Sequence, residues 1–183
     1  MARSVGAGTP PHIAVYPIAP SDRDWAKGFL LTHNHSLRVV SRGVLHQVIE
    51  LPGFVGLLKG APSALLTYQL ANVQQTSEFL ENSEVLELEV VTLHAAQRRR
   101  GLGSALLEAA RAKAGELGCR RLWLITTDDN EPAIAFYKRR GMSLVAVHEN
   151  ALEQSRALKP EIPLTGLGGK PLRDEIEFEY RLQ

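Results

Sequence analysis

The feature that most constrains the fold is the order of patterned segments between residues 84 and 149. A strand-like run at 84–94 leads through QRRRGLG into a segment with helical spacing, and a second strand-like run at 120–127 leads into another helix. Strand–helix–strand units favour parallel neighbouring strands, because the helix carries the chain back across the sheet. The sequence therefore predicts an α/β fold with a mixed sheet and a parallel central pair.

Further strand-like segments extend this unit into one domain over residues 1–183. They lie at 12–18, 54–60, 64–73, 143–149 and 173–182, with a turn expected at Ala61-Pro62-Ser63. We expect a mostly antiparallel sheet of about seven strands with helices on both faces. Residues 37–52 show no clear period, and the first eleven residues, rich in Gly, Ala and Pro, are expected to be a flexible terminus.

Charge and composition narrow the classes of partner. Lys and Arg total 21 against 20 Asp and Glu, so no overall positive field favours nucleic acid. There is no apolar run near the roughly 18 residues of a membrane span and no apolar core of a signal peptide. The single cysteine, Cys119, is expected to fill the core, and the His-x-His at residues 33–35 has too few partners for a metal site. We expect a cytoplasmic protein with no metal, nucleic-acid or membrane partner.

The loop at residues 98–104 places three arginines and two glycines at the start of a helix. The free amides of a first helical turn, the helix dipole and the guanidinium groups together suit an anion such as phosphate. Gly101 and Gly103 would allow the backbone to approach it closely. The alternative is a solvated basic turn in which Gly101 only lets the chain bend. The dinucleotide-binding pattern does not fit, because Leu106 stands where its third glycine belongs.

Two motifs occur in the order and spacing of one enzyme superfamily. The first is RRRGLG at 98–103, similar to a (Gln/Arg)-x-x-Gly-x-(Gly/Ala) cofactor loop. The second is NEPAIAFYKRRG at 130–141, similar to Asn-x-x-Ala-x-x-(Phe/x)-Tyr followed by basic residues and glycine. Together they resemble the GCN5-related N-acetyltransferase (GNAT) superfamily, which uses acetyl-CoA. The resemblance covers residues 54–182, with 84–142 as the acetyl-CoA-binding core, and is only topological before residue 54.

The resemblance implies a site for acetyl-CoA as co-substrate. Backbone amides of residues 99–104 would hold its pyrophosphate, and its pantetheine arm would lie between strands 84–94 and 120–127, which splay apart at their C-terminal ends. The residues implied in cofactor binding are Val91, Thr92, Leu93, Arg98, Arg99, Arg100, Gly101, Leu102, Gly103, Ser104, Asn130, Ala133, Phe136 and Tyr137. The Val91 N–H is the candidate for stabilising the oxyanion at the thioester. Asn130 binds the pantetheine arm, caps the following helix, or does both.

The resemblance also implies direct acetyl transfer to a primary amine, with Tyr137, Glu87 and Glu89 as candidate catalytic residues. Tyr137 stands where the family keeps the acid for the leaving thiolate, and a phenol of pKa about 10 is protonated at neutral pH; the alternative is a core tyrosine. Alternation places Glu87, Glu89, Val91 and Leu93 on one strand face, and Glu87 stands where some members keep a base. Burial beside the cofactor would raise a glutamate's pKa. The alternatives are solvated carboxylates and an ordered water as base.

The acceptor amine is not identified by any motif in the sequence. Small-molecule and peptide amines both fit, and a homodimer through the last strands stays open. The alternative function is a catalytically lapsed module of the same fold that binds coenzyme A or a protein partner. The presence of Tyr137, Asn130 and both loop glycines favours the enzyme.

Overall fold

The computed structural model describes residues 12–77 and 80–182, without the side chains of 75–77 and 80–83. The expected flexible terminus, residues 1–11, lies outside the described residues. The strands are Ile13–Pro17 (β1), Arg38–Ser41 (β2), Val44–Gln47 (β3), Gly53–Leu58 (β4), Ala61–Ser77 (β5), Leu80–Ala95 (β6), Arg121–Thr127 (β7), Ser143–His148 (β8) and Glu175–Arg181 (β9). The α-helices are Arg23–His33 (α1), Leu102–Glu116 (α2), Glu131–Arg139 (α3) and Ala151–Leu158 (α4). Within the described ranges, no helix combines the length and the apolar character needed to cross a bilayer.

Seven strands form one sheet in the order β1-β4-β5-β6-β7-β9-β8. Neighbouring strands in this sheet are antiparallel except β6 and β7, which are parallel as predicted. The β6–β7 ladder ends at the pair Val90–Leu124, whereas β6 continues to Ala95 and β7 to Thr127. The central pair therefore separates toward its C-terminal ends, and the predicted fold is confirmed.

Different elements cover the two faces of the sheet. On one face, which we call the α2 face, α2 and α3 pack against alternate residues of β6, β7 and β9; members of this cluster include Leu88, Leu106 and Phe178. On the other, which we call the hairpin face, α1 packs on β4 and β5 and the β2–β3 hairpin lies nearby; members include Leu30 and Leu65. Helices cover both faces, as expected from the sequence.

The buried side of α2 is formed by residues that recur every four positions. Leu102, Leu106, Ala110 and Ala114 are each at most 1% exposed. Leu117, which the helical spacing places on this side, is 37% exposed because the helix ends at Glu116.

The β4–β5 hairpin turns at Lys59 and Gly60, so the expected turn at residues 61–63 is wrong. Lys59 and Gly60 have φ of 53° and 82°, the positive values that tight two-residue hairpins need. Pro62 already pairs with Leu57, beside a register shift in β4 where the ladder can tolerate a residue without an N–H.

Residues 38–47, which show no period in the sequence, form the β2–β3 hairpin. Its turn is at Arg42 and Gly43, with φ of 46° and 75°. The hairpin is tied to the segment after α4, since Lys159 Nζ donates to the Arg38 carbonyl at 2.7 Å and Arg38 forms an ion pair with Glu161. These two contacts hold the β2–β3 hairpin in place over the hairpin face of the sheet.

Candidate active site

The arginine-rich loop lies at the N-terminus of α2. Gly101 is the N-cap residue with φ of 87°, and no side chain caps this turn. The Ala105 N–H donates to the Gly101 carbonyl at 3.0 Å, so the helix leaves the amides of residues 102–104 without an intrahelical acceptor. The arginines at 98–100 are exposed around this turn. The arrangement can bind an anion such as a phosphate.

The two glycines of the loop have different surroundings. A Cβ at Gly101 would lie 3.0 Å from Ile13 Cδ1, in a backbone conformation that L side chains rarely adopt. A Cβ at Gly103 would lie 3.4 Å from Phe136 Cζ, an ordinary contact. Gly101 is therefore required by the turn itself, while Gly103 lies where α2 meets α3. That either glycine also makes room for a phosphate stays a prediction.

A β-bulge lies in β6 where the β6–β7 ladder ends. Thr67 of β5 pairs with Thr92, and Tyr68 pairs with Val90. Val91 is thus the extra residue, without a partner on β5. The Thr92 hydroxyl lies 2.7 Å from that of Thr67 in a buried hydrogen bond. The bulge adjoins the opening between β6 and β7.

The bulge changes which side chains share a face of β6. Glu87 and Glu89 lie on the hairpin face, and Val91 packs there against the α1 cluster. Leu93 instead packs on the α2 face with Leu88. The expectation that Leu93 continues the face of the two glutamates is wrong, because an inserted residue shifts the alternation by one.

Glu89 is a buried carboxyl without a cationic partner of its own. It is 7% exposed, and burial raises its pKa from 4.5 to about 7, against smaller opposing effects of Ser41 and Arg42. Its Oε2 lies 3.8 Å from Nε2 of His46, and its Oε1 has no hydrogen-bond partner among the described residues. A carboxyl that exchanges its proton near neutral pH is suited to general base catalysis.

Glu87 has the opposite environment on the same strand. Its Oε2 lies 2.8 Å from Nε of Arg121, whose Nη1 also contacts Glu177 at 2.7 Å and Glu179 at 3.1 Å. Glu87 is therefore one member of a buried ion network, with its lone pairs directed at a guanidinium. Of the two candidate bases, only Glu89 forms no ion pair with an arginine or lysine among the described residues, and only its Oε1 has no hydrogen-bond partner there.

Tyr137 lies on the other side of the sheet from Glu89. It is 8% exposed, and its ring centre is 5.7 Å from that of Phe178. Phe178 pairs with Leu124, the residue at which the β6–β7 ladder ends. Burial raises the pKa of Tyr137 to about 12. The phenol thus keeps its proton and lies near the start of the opening.

Asn130 caps α3, as one of its two predicted roles requires. Its Oδ1 accepts a hydrogen bond from the Ala133 N–H at 3.3 Å. Its predicted contact with a pantetheine arm stays a prediction. Ala133 and Phe136 pack partly buried against the α2-face cluster.

Asp129 is a residue of this region that the sequence reasoning missed. Its Oδ2 accepts from the Leu167 N–H at 2.7 Å, and a Cβ at Gly166 would lie 2.1 Å from the same oxygen. Asp129 therefore fixes the 165–171 loop against the start of α3. The run Asp128-Asp129-Asn130 signals a helix start, but not this distant contact.

Ser41 and His46 of the β2–β3 hairpin were missed as well. Each is 4% exposed, and both lie near Glu89. The only signal available in the sequence is Arg42-Gly43 between two short polar and β-branched runs, which is typical of a hairpin turn.

His94 lies near His33 and His35, and burial lowers its pKa to about 4. Among the described residues, no three His, Cys, Asp or Glu side chains are grouped so that they could hold a metal ion.

Comparison with known proteins decides the family. A model of the acetyltransferase (GNAT) family matches residues 23–142. The chain belongs to the GNAT acetyltransferase family. This acetyltransferase is 32% identical over 171 residues to the uncharacterized protein YxbD of Bacillus subtilis (strain 168), covering 92% of this chain and 99% of YxbD. It is 46% identical over 92 residues to YdhI of the same organism, covering 50% of this chain and 58% of YdhI.

Solved structures of other acetyltransferases share this fold. The IAA acetyltransferase from Bacillus cereus matches with a TM-score of 0.66 and 16% identity, over 93% of this chain and all (100%) of that one. NAA60 of Arabidopsis thaliana, in complex with acetyl-CoA, matches with a TM-score of 0.64 and 19% identity, over 93% and 100% of the two chains. The family resemblance and the fold predicted from the sequence are both confirmed.

Proposed function

We propose that this acetyltransferase transfers an acetyl group from acetyl-CoA directly to a primary amine, with Glu89 as the general base. The observation that carries the proposal is the unpaired, buried carboxyl of Glu89 beside the opening between β6 and β7. Tyr137 approaches the same opening from the opposite face. A base for the amine and a hydrogen-bond donor for the leaving sulfur on opposite sides of one cleft suit a direct transfer.

The cofactor is expected to span from the arginine loop to the opening. The free amides of residues 102–104 and the arginines at 98–100 bind its pyrophosphate. Beyond Val90 and Leu124, β6 and β7 no longer pair with each other. The pantetheine arm lies between them there and forms hydrogen bonds to their backbones, as an additional strand would. The Val91 N–H, in the bulge, donates to the thioester carbonyl. The crystal structure of NAA60, which shares this fold, is a complex with acetyl-CoA, and this supports acetyl-CoA as the co-substrate.

The chemical steps balance without a metal or an acyl-enzyme. Glu89 removes one proton from the acceptor ammonium, and the amine attacks the thioester carbon to form a tetrahedral oxyanion. The attack forms the C–N bond, the nitrogen then loses a second proton to solvent, and collapse of the intermediate restores the C=O bond and breaks the C–S bond. The thiol of Cys119 is 3% exposed and burial raises its pKa, which disfavours it as a nucleophile.

Tyr137 acts as a hydrogen-bond donor to the leaving sulfur. With a pKa of about 12, its phenol holds its proton more tightly than a thiol of pKa near 8.5. It therefore stabilises the nascent thiolate without giving its proton up completely, and the thiolate takes the proton released through Glu89 or solvent. This role requires a buried phenol that stays neutral throughout the working pH range.

Calorimetric titration with acetyl-CoA and a thiol-release assay over a panel of primary amines test the proposal. We expect Glu89→Gln to lose turnover and to keep its affinity for acetyl-CoA, because only the base is removed. Glu87→Gln serves as the matched comparison on the same strand face. A wild-type protein that does not bind acetyl-CoA would refute the proposal. Cofactor binding without thiol release from any amine would favour the alternative of a non-catalytic coenzyme A-binding module.

A further inference from the structure

Four buried polar atoms on the hairpin face have no hydrogen-bond partner among the described residues. They are Ser41 Oγ, His46 Nε2, Glu89 Oε1 and Trp123 Nε1. Each belongs to a side chain that is at most 7% exposed. Buried polar groups are nearly always paired, and an unpaired one costs free energy. A group of them in one place indicates that something else completes their hydrogen bonds.

One of these atoms is an oxygen of Glu89, and the other three belong to residues near its carboxyl. Trp123 is its direct neighbour in the β6–β7 ladder. His46 Nε2 lies 3.8 Å from Glu89 Oε2. The Ser41 hydroxyl is close enough to affect the pKa of Glu89, yet it makes no hydrogen bond of good geometry. The unpaired atoms therefore form one local site between the β2–β3 hairpin and the sheet.

The tautomer of His46 makes this site rich in acceptors. Its Nδ1 lies 2.7 Å from Gln69 Oε1, and an amide oxygen only accepts, so Nδ1 is the nitrogen that carries the proton. Burial lowers the pKa of His46, which keeps the ring neutral at neutral pH. Nε2 is then a lone pair that faces the carboxyl of Glu89. When Glu89 is ionised, two acceptors face each other with no donor between them.

The charges around the site are mostly negative. Glu175 and Glu177 on β9 lie near enough to raise the pKa of Glu89 further, against the opposing charge of Arg42. Glu175 is 1% exposed and accepts from the Ser155 hydroxyl and the Arg42 amide; no basic side chain of the described residues forms an ion pair with it. Arg121 and Arg42 lie against Glu177 at 2.7 and 3.6 Å. A positively charged ligand would balance this surplus.

We propose that Ser41, His46 and Glu89 bind the nitrogen of the acceptor, and that this amine site selects primary ammonium groups with no carboxylate on the adjacent carbon. The inference rests on the proposed function and deepens it. An ammonium has three N–H donors, one for each of Glu89 Oε1, His46 Nε2 and Ser41 Oγ. Glu89 Oε2, the other oxygen of the same carboxylate, lies 3.8 Å from His46 Nε2, and acceptors this far apart can both lie at hydrogen-bond distance from one nitrogen. The Trp123 N–H is a donor and makes no hydrogen bond to the bound ammonium.

The same geometry predicts that amino acids are excluded. A carboxylate one carbon from the bound nitrogen would enter the field of Glu89, Glu175 and Glu177, which is opposed by the single charge of Arg42. Like charges at such distances repel, and little solvent is present to screen them. Isopentylamine and leucine form a matched pair of probes, because they differ only by this carboxylate.

The first test is binding, followed through the imidazole NMR signals of His46, which are assigned by their loss in His46→Gln. We expect isopentylamine to shift these signals saturably, leucine to need at least a tenfold higher concentration, and Glu89→Gln to weaken the effect of isopentylamine at least tenfold. The exposed His12 is the internal control. Equal affinity for both probes, or a shift at His46 no larger than that at His12, overturns the inference. The titration is run with and without coenzyme A, so it does not depend on cofactor binding.

The second test is kinetic and uses an amine that the enzyme turns over. We expect His46→Gln and Ser41→Ala to raise KM for that amine about tenfold while KM for acetyl-CoA changes less than twofold. His12→Gln is the matched control and should change neither. If acetyl-CoA binds and thiol is released but both site variants keep the wild-type KM for the amine, the inference fails while the proposed function stands. If acetyl-CoA does not bind, the proposed function fails, and the NMR titration still decides the amine site.

Discussion

Replacing Glu89 with glutamine should stabilise the fold above neutral pH while it removes the catalytic base. Burial raises the pKa of this carboxyl from 4.5 to about 7. Between these two values the folded chain holds a proton that the unfolded chain has lost. The free energy of unfolding of the wild type therefore falls as pH rises from about 4.5 to about 7, because the folded chain must ionise a buried carboxyl. Above that range the destabilisation by the ionised Glu89 is constant. Glutamine has nearly the same shape and carries no such cost.

The size of the effect follows from the pKa difference. Ionising Glu89 should cost about 1 kcal/mol at pH 5 and about 3 kcal/mol at pH 8. The gain in unfolding free energy from Glu89→Gln should follow the same pH dependence, and its value at pH 8 corresponds to roughly 6 to 12 °C in Tm for a domain of this size. Titrating groups that do not interact with Glu89 contribute equally to both proteins and cancel in the difference.

The assay is urea unfolding of wild type and variant at pH 5, 6, 7 and 8. Glu87→Gln is the control with the opposite expected sign. Glu87 lies 2.8 Å from Arg121, so its replacement should destabilise by roughly 1 to 3 kcal/mol, limited because Arg121 keeps Glu177 and Glu179. A gain for Glu89→Gln that is the same at pH 5 and pH 8, or a loss at pH 8, would refute the reasoning about Glu89.

Three further predictions concern catalysis and cofactor binding. With Glu89 as base at a pKa of about 7, kcat/KM for the amine should rise about tenfold per pH unit below 7 and level off above it; a flat profile from pH 5.5 to 8 contradicts this. Tyr137→Phe should lower kcat about 10- to 100-fold with little change in acetyl-CoA affinity by calorimetry, and an unchanged kcat excludes the donor role. Gly101→Ala should cost about 1 to 2 kcal/mol in urea unfolding because φ is 87°, and should weaken acetyl-CoA binding measurably; wild-type values of both count against the loop assignment.

Much of the fold follows from patterns that a sequence displays locally. The spacing of Leu102, Leu106 and Ala110 fixes the buried stripe of α2, and Gly101 and Gly118 bound that helix. Two successive strand–helix–strand passages then favour a parallel central pair. These features depend on neighbours along the chain, so periodicity and turn chemistry were sufficient.

The bulge at Val91 could not be predicted by the same means. The run Val90-Val91-Thr92-Leu93 is apolar or β-branched throughout, so it carries no alternation from which a face could be read. The extra residue becomes visible only in the pairing with β5. For this reason the predicted strand face was right for Glu87 and Glu89 and wrong for Leu93.

The choice between the two glutamates also depends on distant parts of the chain. Glu87 and Glu89 share a strand face, and the sequence around them is nearly symmetrical. Arg121 on β7 engages the first, whereas the β2–β3 hairpin covers the second. The hairpin strands have only four residues each, too few for a period to indicate that Ser41 and His46 face the sheet.

Gln69 gives a physical reason why Glu89 stays without a donor. If His46 carried its proton on Nε2, it could direct an N–H toward Glu89 and stabilise the charged carboxylate. The Gln69 oxygen, 2.7 Å from Nδ1, holds the proton on the other side of the ring. The lone pair on Nε2 then disfavours the negative charge on Glu89, in the same direction as burial. A neutral amide on β5 thereby helps to bring the pKa of one of two adjacent glutamates close to neutral pH, where its carboxylate is a stronger base than that of an ordinary glutamate.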